Sequence, residues 1–300
     1  MRKIYFAPTP WASSNDVFED YRFQTPNNLG VWEDIEVTKN VDEAEFLIIQ
    51  DDCPDRNIMD KFEPKKRLYF NREALHTTIL DSHPASDYRR FSFWDGSGYL
   101  PIRWWYGTNV QHSAQGYGGL SLTYDELIKT QPYEKTKKLT CILSNKYMNE
   151  GHGIRKSFAK KFMDKYPIDM YGSFEYANST IPNNNKILAL KDYKYCLGFD
   201  NQDFIKDFFG TQLSDTILSW TIPIFWCGTD LSRYFPEGSF IQFDATKDSE
   251  IDRIIEIIEN DDYEARLPKL KEARELILNK YNFWPTIKSV IDTDTPKAGI

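Results

Sequence analysis

Short apolar runs that do not alternate with polar residues constrain the fold of this chain more than any other feature. In the first third these runs cover 4–7, 45–50 and 67–71, and turn residues such as Asp, Asn and Pro close them. Runs of this length without alternation are typical of strands that are buried on both faces of a sheet. The segments between them are long enough for crossover helices, so the pattern predicts a parallel α/β sheet.

A second set of such runs follows a polar connection. Residues 111–138 contain clustered glycines and a charged stretch, which are typical of an interdomain linker. Beyond it, apolar runs predict strands at 139–143, 168–172, 193–199 and 222–226, and helical periodicity predicts helices at 154–165, 213–220, 251–259 and 268–281. We therefore expect two α/β domains, residues 1–130 and residues 131–280.

The composition excludes several classes of protein. With 300 residues, a hydrophobic fraction of 41% and an aromatic fraction of 15%, the chain can bury real cores and is not disordered as a whole. A formal net charge of −8 argues against a nucleic-acid scaffold, although an acidic chain can still hold a basic pocket for a phosphate. No run approaches the ~18 apolar residues of a membrane span. The chain starts directly in a strand-like run, which predicts a soluble, cytoplasmic protein without a signal peptide.

The residue types that bind metals lack the spacing of metal sites. The four cysteines are too far apart for a zinc motif and are expected to be buried thiols, and the four histidines are scattered. Asp51-Asp52 and Asp261-Asp262 resemble the acid pairs that hold a divalent ion at a nucleotide diphosphate, but adjacent acids are frequent by chance. We therefore expect no metal site, with Asp51-Asp52 kept as the alternative.

One long stretch carries more information about function. Residues 193–201 read as a strand that ends in an acid and an amide, Asp200 and Asn201. After a loop, Gly210-Thr211-Gln212 opens a helix, and a further strand follows at 222–226. The free N–H groups of such a helix start suit a phosphate at the ligand-binding edge of a sheet. The residues alone fit an ordinary βαβ unit equally well, so both interpretations stay open.

The same stretch resembles a known family. The run YKYCLGFDN, followed by TILSWTIPIFWCGTDLSRYFPEGSFIQFD, is similar to the C-terminal donor domain of the α-1,3-fucosyltransferases of glycosyltransferase family 10. Upstream, Leu143-Ser144-Asn145 and Gly153-Ile154-Arg155 resemble the SN…R segment of that family, and the run that ends in Asn71-Arg72-Glu73 resembles its strand with the general base. The resemblance covers about residues 65–245.

The resemblance implies the GT-B fold, an α/β fold in which two Rossmann-like domains face each other across a cleft. The acceptor would lie mainly on the N-terminal domain and the nucleotide-sugar donor on the C-terminal domain, with residues 281–300 packing back on the N-terminal domain. The resemblance also implies an inverting glycosyltransferase that requires no metal or other cofactor. Its partners would be a GDP-sugar, in preference to a UDP-sugar, and an oligosaccharide or glycoconjugate acceptor, with no nucleic acid and no membrane span.

Roles for single residues follow from the same resemblance. Glu73 would deprotonate the acceptor hydroxyl, and Arg155 would hold the departing diphosphate. The other donor-binding residues would be Asn145, Asp200, Asn201, Lys206, Thr211 and Gln212, and the residues that stack on the acceptor would be Trp104, Trp105 and Tyr106. Simpler interpretations stay open: Glu73 as a surface acid paired with an arginine, Arg155 as a solvated residue, and the aromatic run as core.

Two positions depart from the family pattern. Asp200 stands where the family has glutamate, and Gly210-Thr211-Gln212 stands where it has Thr-Glu-Lys. The lysine that neutralises the diphosphate is therefore missing, which leaves Arg155 and Lys206 to replace it. Since the leaving group is then less neutralised, two alternatives stay open. One is a UDP-sugar donor, such as UDP-xylose, and the other is a weakly active carbohydrate-binding relative.

Overall fold

Two mainly parallel sheets with helices packed against them make up the described part of this chain. The structure is a computed structural model, and it describes residues 1–9, 12–50, 53–70, 89–91, 120, 122–181, 185–201 and 210–293. The described residues of Met1–Gln115, Leu122–Lys129 and Lys280–Ile300 form a first unit, and those of Gly116–Ser121 and Thr130–Asn279 form a second.

The elements are numbered in chain order. The strands are β1 (Arg2–Phe6), β2 (Val31–Trp32), β3 (Ile35–Val37), β4 (Phe46–Gln50), β5 (Arg67–Phe70), β6 (Arg89–Phe91), β7 (Lys137–Leu143), β8 (Asp169–Gly172), β9 (Tyr193–Phe199), β10 (Ile222–Trp226) and β11 (Ile241–Gln242). The α-helices are α1 (Ser14–Arg22), α2 (Arg56–Met59), α3 (Tyr124–Lys129), α4 (Glu150–Lys165), α5 (Thr211–Leu218), α6 (Ser249–Asn260), α7 (Tyr263–Asn279) and α8 (Phe283–Asp292).

The sheet of the first unit has the strand order β2-β3-β1-β4-β5-β6. Its neighbours are parallel except for the short edge pair β2 and β3. Strand β4 is buried along its whole length, as its unalternating sequence predicts. Helix α1 follows β1 and begins with a capping box, in which Ser13 Oγ accepts the N–H of Asp16 and the Asp16 carboxylate accepts the N–H of Ser13.

The last described helix, α8, belongs to this first unit. Trp284 is fully buried, and its indole Nε1 donates to the backbone oxygen of Tyr21 at 2.9 Å. Asn282 caps α8 and donates through Nδ2 to the backbone oxygen of Gln24 at 3.0 Å. Phe283 is buried beside them, with its ring centroid 4.9 Å from that of Tyr21. These contacts fix α8 against α1 and the turn that follows α1.

The sheet of the second unit is entirely parallel and has the order β11-β10-β9-β7-β8. The chain leaves β7 to form β8 on one side of it, and later returns to form β9 on the other side. The carboxyl ends of β7 and β9 therefore flank a topological switch point, which is where open α/β sheets bind ligands. The residues that follow Leu143 and Phe199 meet at this point.

The predicted parallel α/β class is confirmed in both units. Strands β9 and β10 have the predicted bounds because each is one continuous apolar run. Helix α7, however, begins at Tyr263 rather than at Pro268, which lies in its second turn. The prediction that Pro268 starts the helix was wrong. A proline at this position removes one intrahelical bond, to the carbonyl of Glu264, while packing of α7 against α5 and β10 holds the helix.

Helix α5 covers 211–218, two residues earlier than the predicted 213–220. It ends because Trp220 adopts the left-handed backbone conformation, with a φ of 57°. Glycine is usual in this position, since a side chain is strained there. Two hydrogen bonds hold Trp220 in place: its Nε1 donates to the backbone oxygen of Thr130 at 3.1 Å, and its backbone oxygen accepts from the hydroxyl of Tyr263 at 2.8 Å.

Two further expectations concern the whole chain. All four cysteines are buried and unbridged, as predicted. None of the helices in the described ranges combines the length and the apolar composition that a membrane crossing requires.

Candidate functional site

The candidate site lies at the switch point of the second sheet. Ser144 and Asn145 follow the end of β7, and Asp200 and Asn201 follow the end of β9. Helix α4 adds Arg155, whose side chain points back to the end of β7. Polar side chains from three elements therefore meet where a doubly wound sheet binds its ligand.

Arg155 is the central cation of this site. It is only 8% exposed, and its NH2 group donates to Ser144 Oγ at 3.0 Å. Its buried Nε has no hydrogen-bond partner among the described residues. Burial lowers the pKa of Arg155, and the nearby Asp200 carboxylate partly offsets that effect. A buried guanidinium with an unused donor is suited to bind an anion such as a phosphate.

Asp200 connects the end of β9 to the start of α5. It is 4% exposed, and its Oδ1 accepts the backbone N–H of Gly210 at 2.6 Å. A Cβ atom at position 210 would lie 2.6 Å from the same oxygen, closer than packed atoms can approach. Glycine is therefore required at this position for the carboxylate to reach the backbone. The structure gives Asp200 a positioning contact, in addition to the contact with the donor that the sequence predicts.

The first turn of α5 faces the same edge of the sheet. Gly210 is the N-cap residue and has no side chain that could accept the first N–H groups of the helix, and a helix start of this kind suits an anion. The side chain of Gln212 is bound elsewhere, because its Nε2 donates to the backbone oxygen of Ile142 at 3.0 Å. Gln212 thus ties α5 to β7 and supplies no positive charge where the family pattern has lysine.

Two amides complete the edge. The backbone N–H of Asn145 donates to Ser173 Oγ at 3.1 Å, which fixes the loop after β7 to the loop after β8. The side-chain Oδ1 of Asn145 accepts from Lys156 Nζ at 3.2 Å. The Oδ1 of Asn201 is buried and has no hydrogen-bond partner in the described part of the chain. It is therefore available to a donor group of a ligand.

Buried cations hold the opposite end of α5. Lys135 Nζ donates to the backbone oxygens of Lys191 at 2.8 Å and Ser219 at 3.2 Å, and burial lowers its pKa to about 7. Arg274 donates to the backbone oxygen of Leu218. Positive groups are stabilising at the carboxyl end of a helix, because the last carbonyls there have no intrahelical donor. Both ends of α5 are thus fixed, one by cations and one by Asp200.

The structure places six of the predicted donor-binding residues at this one edge. They are Asn145, Arg155, Asp200, Asn201, Thr211 and Gln212. The other predicted site residues, Glu73, Trp104, Trp105, Tyr106 and Lys206, lie outside the described residues. The alternative metal pair Asp51-Asp52 also lies outside them.

Metal-ligating groups do not gather in the part of the chain that the structure describes. No group of three His, Cys, Asp or Glu residues there could hold a metal ion. Asp261 and Asp262 are engaged in ion pairs, with Lys194 at 2.5 Å and Arg266 at 2.7 Å. These two acids therefore act as partners of neighbouring cations.

Sequence reasoning missed two members of the site. Ser144 was quoted in the SN segment but given no role, although its hydroxyl accepts from the central arginine. Gly210 was assigned only to the helix start, and its close approach to Asp200 depends on the path of the loop between them. The adjacency of Ser144 to a strand end is a signal that would have identified it. No signal in the sequence indicates the approach at Gly210.

A protein-family model matches part of this chain. The model of "Glycosyltransferase family 10 (fucosyltransferase) C-term" matches residues 132–265, which lie in the second unit and contain the six residues that the sequence predicts to bind the donor. The resemblance found from the sequence is thereby confirmed. No curated protein matches the chain.

Solved structures also resemble this chain, at low sequence identity. A DNA-modifying β-glucosyltransferase is 13% identical, with a TM-score of 0.51, and the match covers 98% of this chain and 100% of that chain. An α1,3-fucosyltransferase with GDP-fucose is 16% identical, with a TM-score of 0.49, and the match covers 100% of this chain and 91% of that chain. T4 phage BGT in complex with UDP and Mn²⁺ is 12% identical, with a TM-score of 0.49, and the match covers 98% of this chain and 100% of that chain.

Together the two kinds of match show that residues 132–265 resemble the C-terminal part of family 10 glycosyltransferases, and that the chain shares its fold with a solved glycosyltransferase. The likeness to the β-glucosyltransferase confirms the predicted α/β fold of the GT-B class. The residues at the switch-point edge of the second unit lie within the stretch that the family model matches.

Proposed function

We propose that this chain is an inverting glycosyltransferase that moves a sugar from a nucleotide-sugar to a hydroxyl of a glycan acceptor. By resemblance the sugar is fucose and the donor is GDP-fucose. The observation that carries the proposal is the buried Arg155, with its unused Nε, at the switch point of a domain that matches family 10. A buried cation at this place in a parallel sheet is the expected partner of a diphosphate.

The edge offers distinct groups to each part of the donor. The guanidinium of Arg155 and the first N–H groups of α5 would bind the diphosphate oxygens. The amide of Asn201 would accept a hydrogen bond from the ribose or the sugar, since its Oδ1 is buried and has no hydrogen-bond partner among the described residues. Asp200 would keep the two binding elements in register through its bond to Gly210.

The reaction would be a single displacement. The carboxylate of Glu73 would take the proton of an acceptor hydroxyl, whose oxygen attacks the anomeric carbon of the sugar. The bond from that carbon to the diphosphate oxygen breaks, and its electron pair leaves with the nucleoside diphosphate. Arg155 would stabilise the charge that develops on this leaving group. Attack from the opposite side inverts the anomeric centre.

The acceptor side of the proposal depends on the sequence. Trp104, Trp105 and Tyr106 would stack on the faces of acceptor sugar rings, because aromatic rings present an apolar surface that suits the C–H face of a pyranose. The acceptor would be an oligosaccharide or a glycoconjugate.

A UDP-sugar donor is the second candidate. Two observations favour it: Gln212 supplies no charge at the diphosphate, and the β-glucosyltransferase with a similar fold has uridine diphosphoglucose as its substrate. In this alternative the fold and the role of Arg155 are unchanged, and only the nucleobase and the sugar of the donor differ.

A transfer assay separates these possibilities. The chain would be incubated with GDP-fucose or with a panel of UDP-sugars and a mixed glycan acceptor library, and the products analysed by mass spectrometry and by NMR of the new anomeric centre. We expect an inverted linkage from GDP-fucose and loss of transfer in Glu73→Gln, with nucleotide affinity unchanged. Retained anomeric configuration, or full turnover by Glu73→Gln, would overturn the mechanism.

A further inference from the structure

The lysines of helix α4 differ in their partners. Three of them donate to carboxylates: Lys160 to Asp164, Lys161 to Asp248 and Lys165 to Asp252. Lys156 instead donates to the neutral amide oxygen of Asn145, at 3.2 Å. Among the described residues no carboxylate lies within salt-bridge distance of Lys156. This lysine is therefore the one cation of α4 besides Arg155 whose charge is not balanced by a direct ion pair in the described structure.

Lys156 is directed at the candidate site. Asn145 directly follows Ser144, and Ser144 holds the guanidinium of Arg155. Two consecutive residues of α4 thus contact two consecutive residues at the end of β7. Arg155 and Lys156 therefore both reach the residues that directly follow β7.

An aromatic ring helps to hold Lys156 in this position. Tyr147 lies across the first turns of α4, where a Cβ atom at Gly153 would be 3.1 Å from Cε2 of its ring. Lys156 Nζ is 5.3 Å from the centroid of that ring, within the range of a cation–π contact. The ammonium is therefore fixed between the amide of Asn145 and the ring of Tyr147, and its remaining donors are open.

The charges of the described residues at this edge favour a second cation beside Arg155. The positive charge of Arg155 is offset by the buried carboxylate of Asp200 beside it. A nucleoside diphosphate brings two or more negative charges to the same edge, and Gln212 brings none of the opposite sign. Without Lys156, the described residues of this edge would offer the anion no net positive charge.

We propose that Lys156 is the second phosphate-binding cation of this site and contacts the diphosphate of the donor together with Arg155. This inference rests on the proposed function, because it assigns a residue to the same donor site. It also assigns a role to Tyr147 and Asn145 as positioning residues, which hold the ammonium of Lys156 at the end of β7.

The test compares GDP and UDP affinity in the wild type and in five variants, by calorimetry at several salt concentrations. Lys156→Ala is expected to weaken binding of the nucleotide that the wild type prefers by about 10-fold or more, the effect of one lost charge-assisted hydrogen bond. It should also reduce the dependence of affinity on salt, which a loss of packing would not do. Lys156→Arg should retain most of the affinity.

Lys160→Ala is the matched control. Lys160 lies one turn further along α4 and also covers a tyrosine ring, with its Nζ 5.4 Å from the centroid of Tyr176, but it is paired with Asp164. Its substitution should leave both the affinity and the salt dependence unchanged. Equal effects in Lys156→Ala and Lys160→Ala would show a general effect of surface charge and overturn the inference.

Other outcomes are also decisive. If Lys156→Ala binds as the wild type does while Arg155→Gln loses affinity, the inference fails and the proposed function stands. If the loss occurs in Lys206→Ala and not in Lys156→Ala, the second cation is Lys206. If the wild type binds neither GDP nor UDP, the proposed function itself fails, and the inference fails with it.

Discussion

Substitution of Gly210 by alanine tests the contact that joins β9 to α5. The backbone at Gly210 has φ −75° and ψ 164°, which alanine adopts without strain. Among the described residues beyond its chain neighbours, only Asp200 lies within 4 Å of a Cβ atom at this position, and its Oδ1 would be 2.6 Å away. The substitution therefore forces the carboxylate to move and breaks its hydrogen bond to the backbone N–H of residue 210.

The expected cost combines a steric clash with a lost hydrogen bond to a charged group. These effects together amount to about 2–3 kcal/mol of unfolding free energy. In an Asp200→Ala background the clash and the bond are both absent. There Gly210→Ala should be neutral or stabilise the protein by up to ~1 kcal/mol, because alanine restricts the unfolded chain.

A double-mutant cycle measured by urea denaturation gives the result. The wild type, both single variants and the double variant would be unfolded under the same conditions, and the coupling energy between the two positions calculated. We expect a coupling of about 2–4 kcal/mol. If Gly210→Ala costs the same in both backgrounds, the carboxylate does not hold the start of α5 and its assignment here is wrong.

Two further predictions concern the stability of the second unit. Gly172 has a φ of 110°, and a Cβ atom there would lie 2.4 Å from the backbone oxygen of Leu143, so Gly172→Ala should cost about 2 kcal/mol or more in urea denaturation. A cost below ~0.5 kcal/mol would contradict this close approach. Burial lowers the folded pKa of Lys135 to about 7, below its usual value of 10.5, so between these values the unfolded chain binds the proton that the folded chain has lost. Stability should therefore rise with pH from about 7 towards 10, and Lys135→Met should flatten this part of the wild-type stability profile; an unchanged profile would show that Lys135 keeps its ordinary pKa.

The sequence predicts some parts of this fold closely. Strands β9 and β10 are continuous apolar runs with clear ends, so their bounds follow from the pattern alone. The end of α5 cannot be predicted from the pattern, because Trp220 adopts a left-handed backbone conformation that glycine usually occupies. The hydrogen bonds from Trp220 to Thr130 and from Tyr263 to Trp220 compensate for the strain, and they join residues far apart in the chain.

The candidate site shows the same division. Asn145, Arg155 and Asp200 could be named from a family resemblance, because each stands at a recognisable strand end or helix start. The contact between Asp200 and Gly210 depends on the path of a loop, which local sequence does not encode. The partner of Lys156 depends on the angle at which α4 leaves β7, so the sequence alone gave that lysine no role.

The central claim is that the end of β7, the end of β9 and the start of α5 form a nucleoside diphosphate site around Arg155. Calorimetric titration of GDP and UDP into the wild type and Arg155→Gln tests it most directly, with urea denaturation to show that the variant is folded. We expect the wild type to bind GDP in preference to UDP, and the variant to bind at least about 10-fold more weakly, since it loses a charge-assisted contact to phosphate. Equal affinity in the two proteins, or no nucleotide binding by the wild type, would contradict the claim.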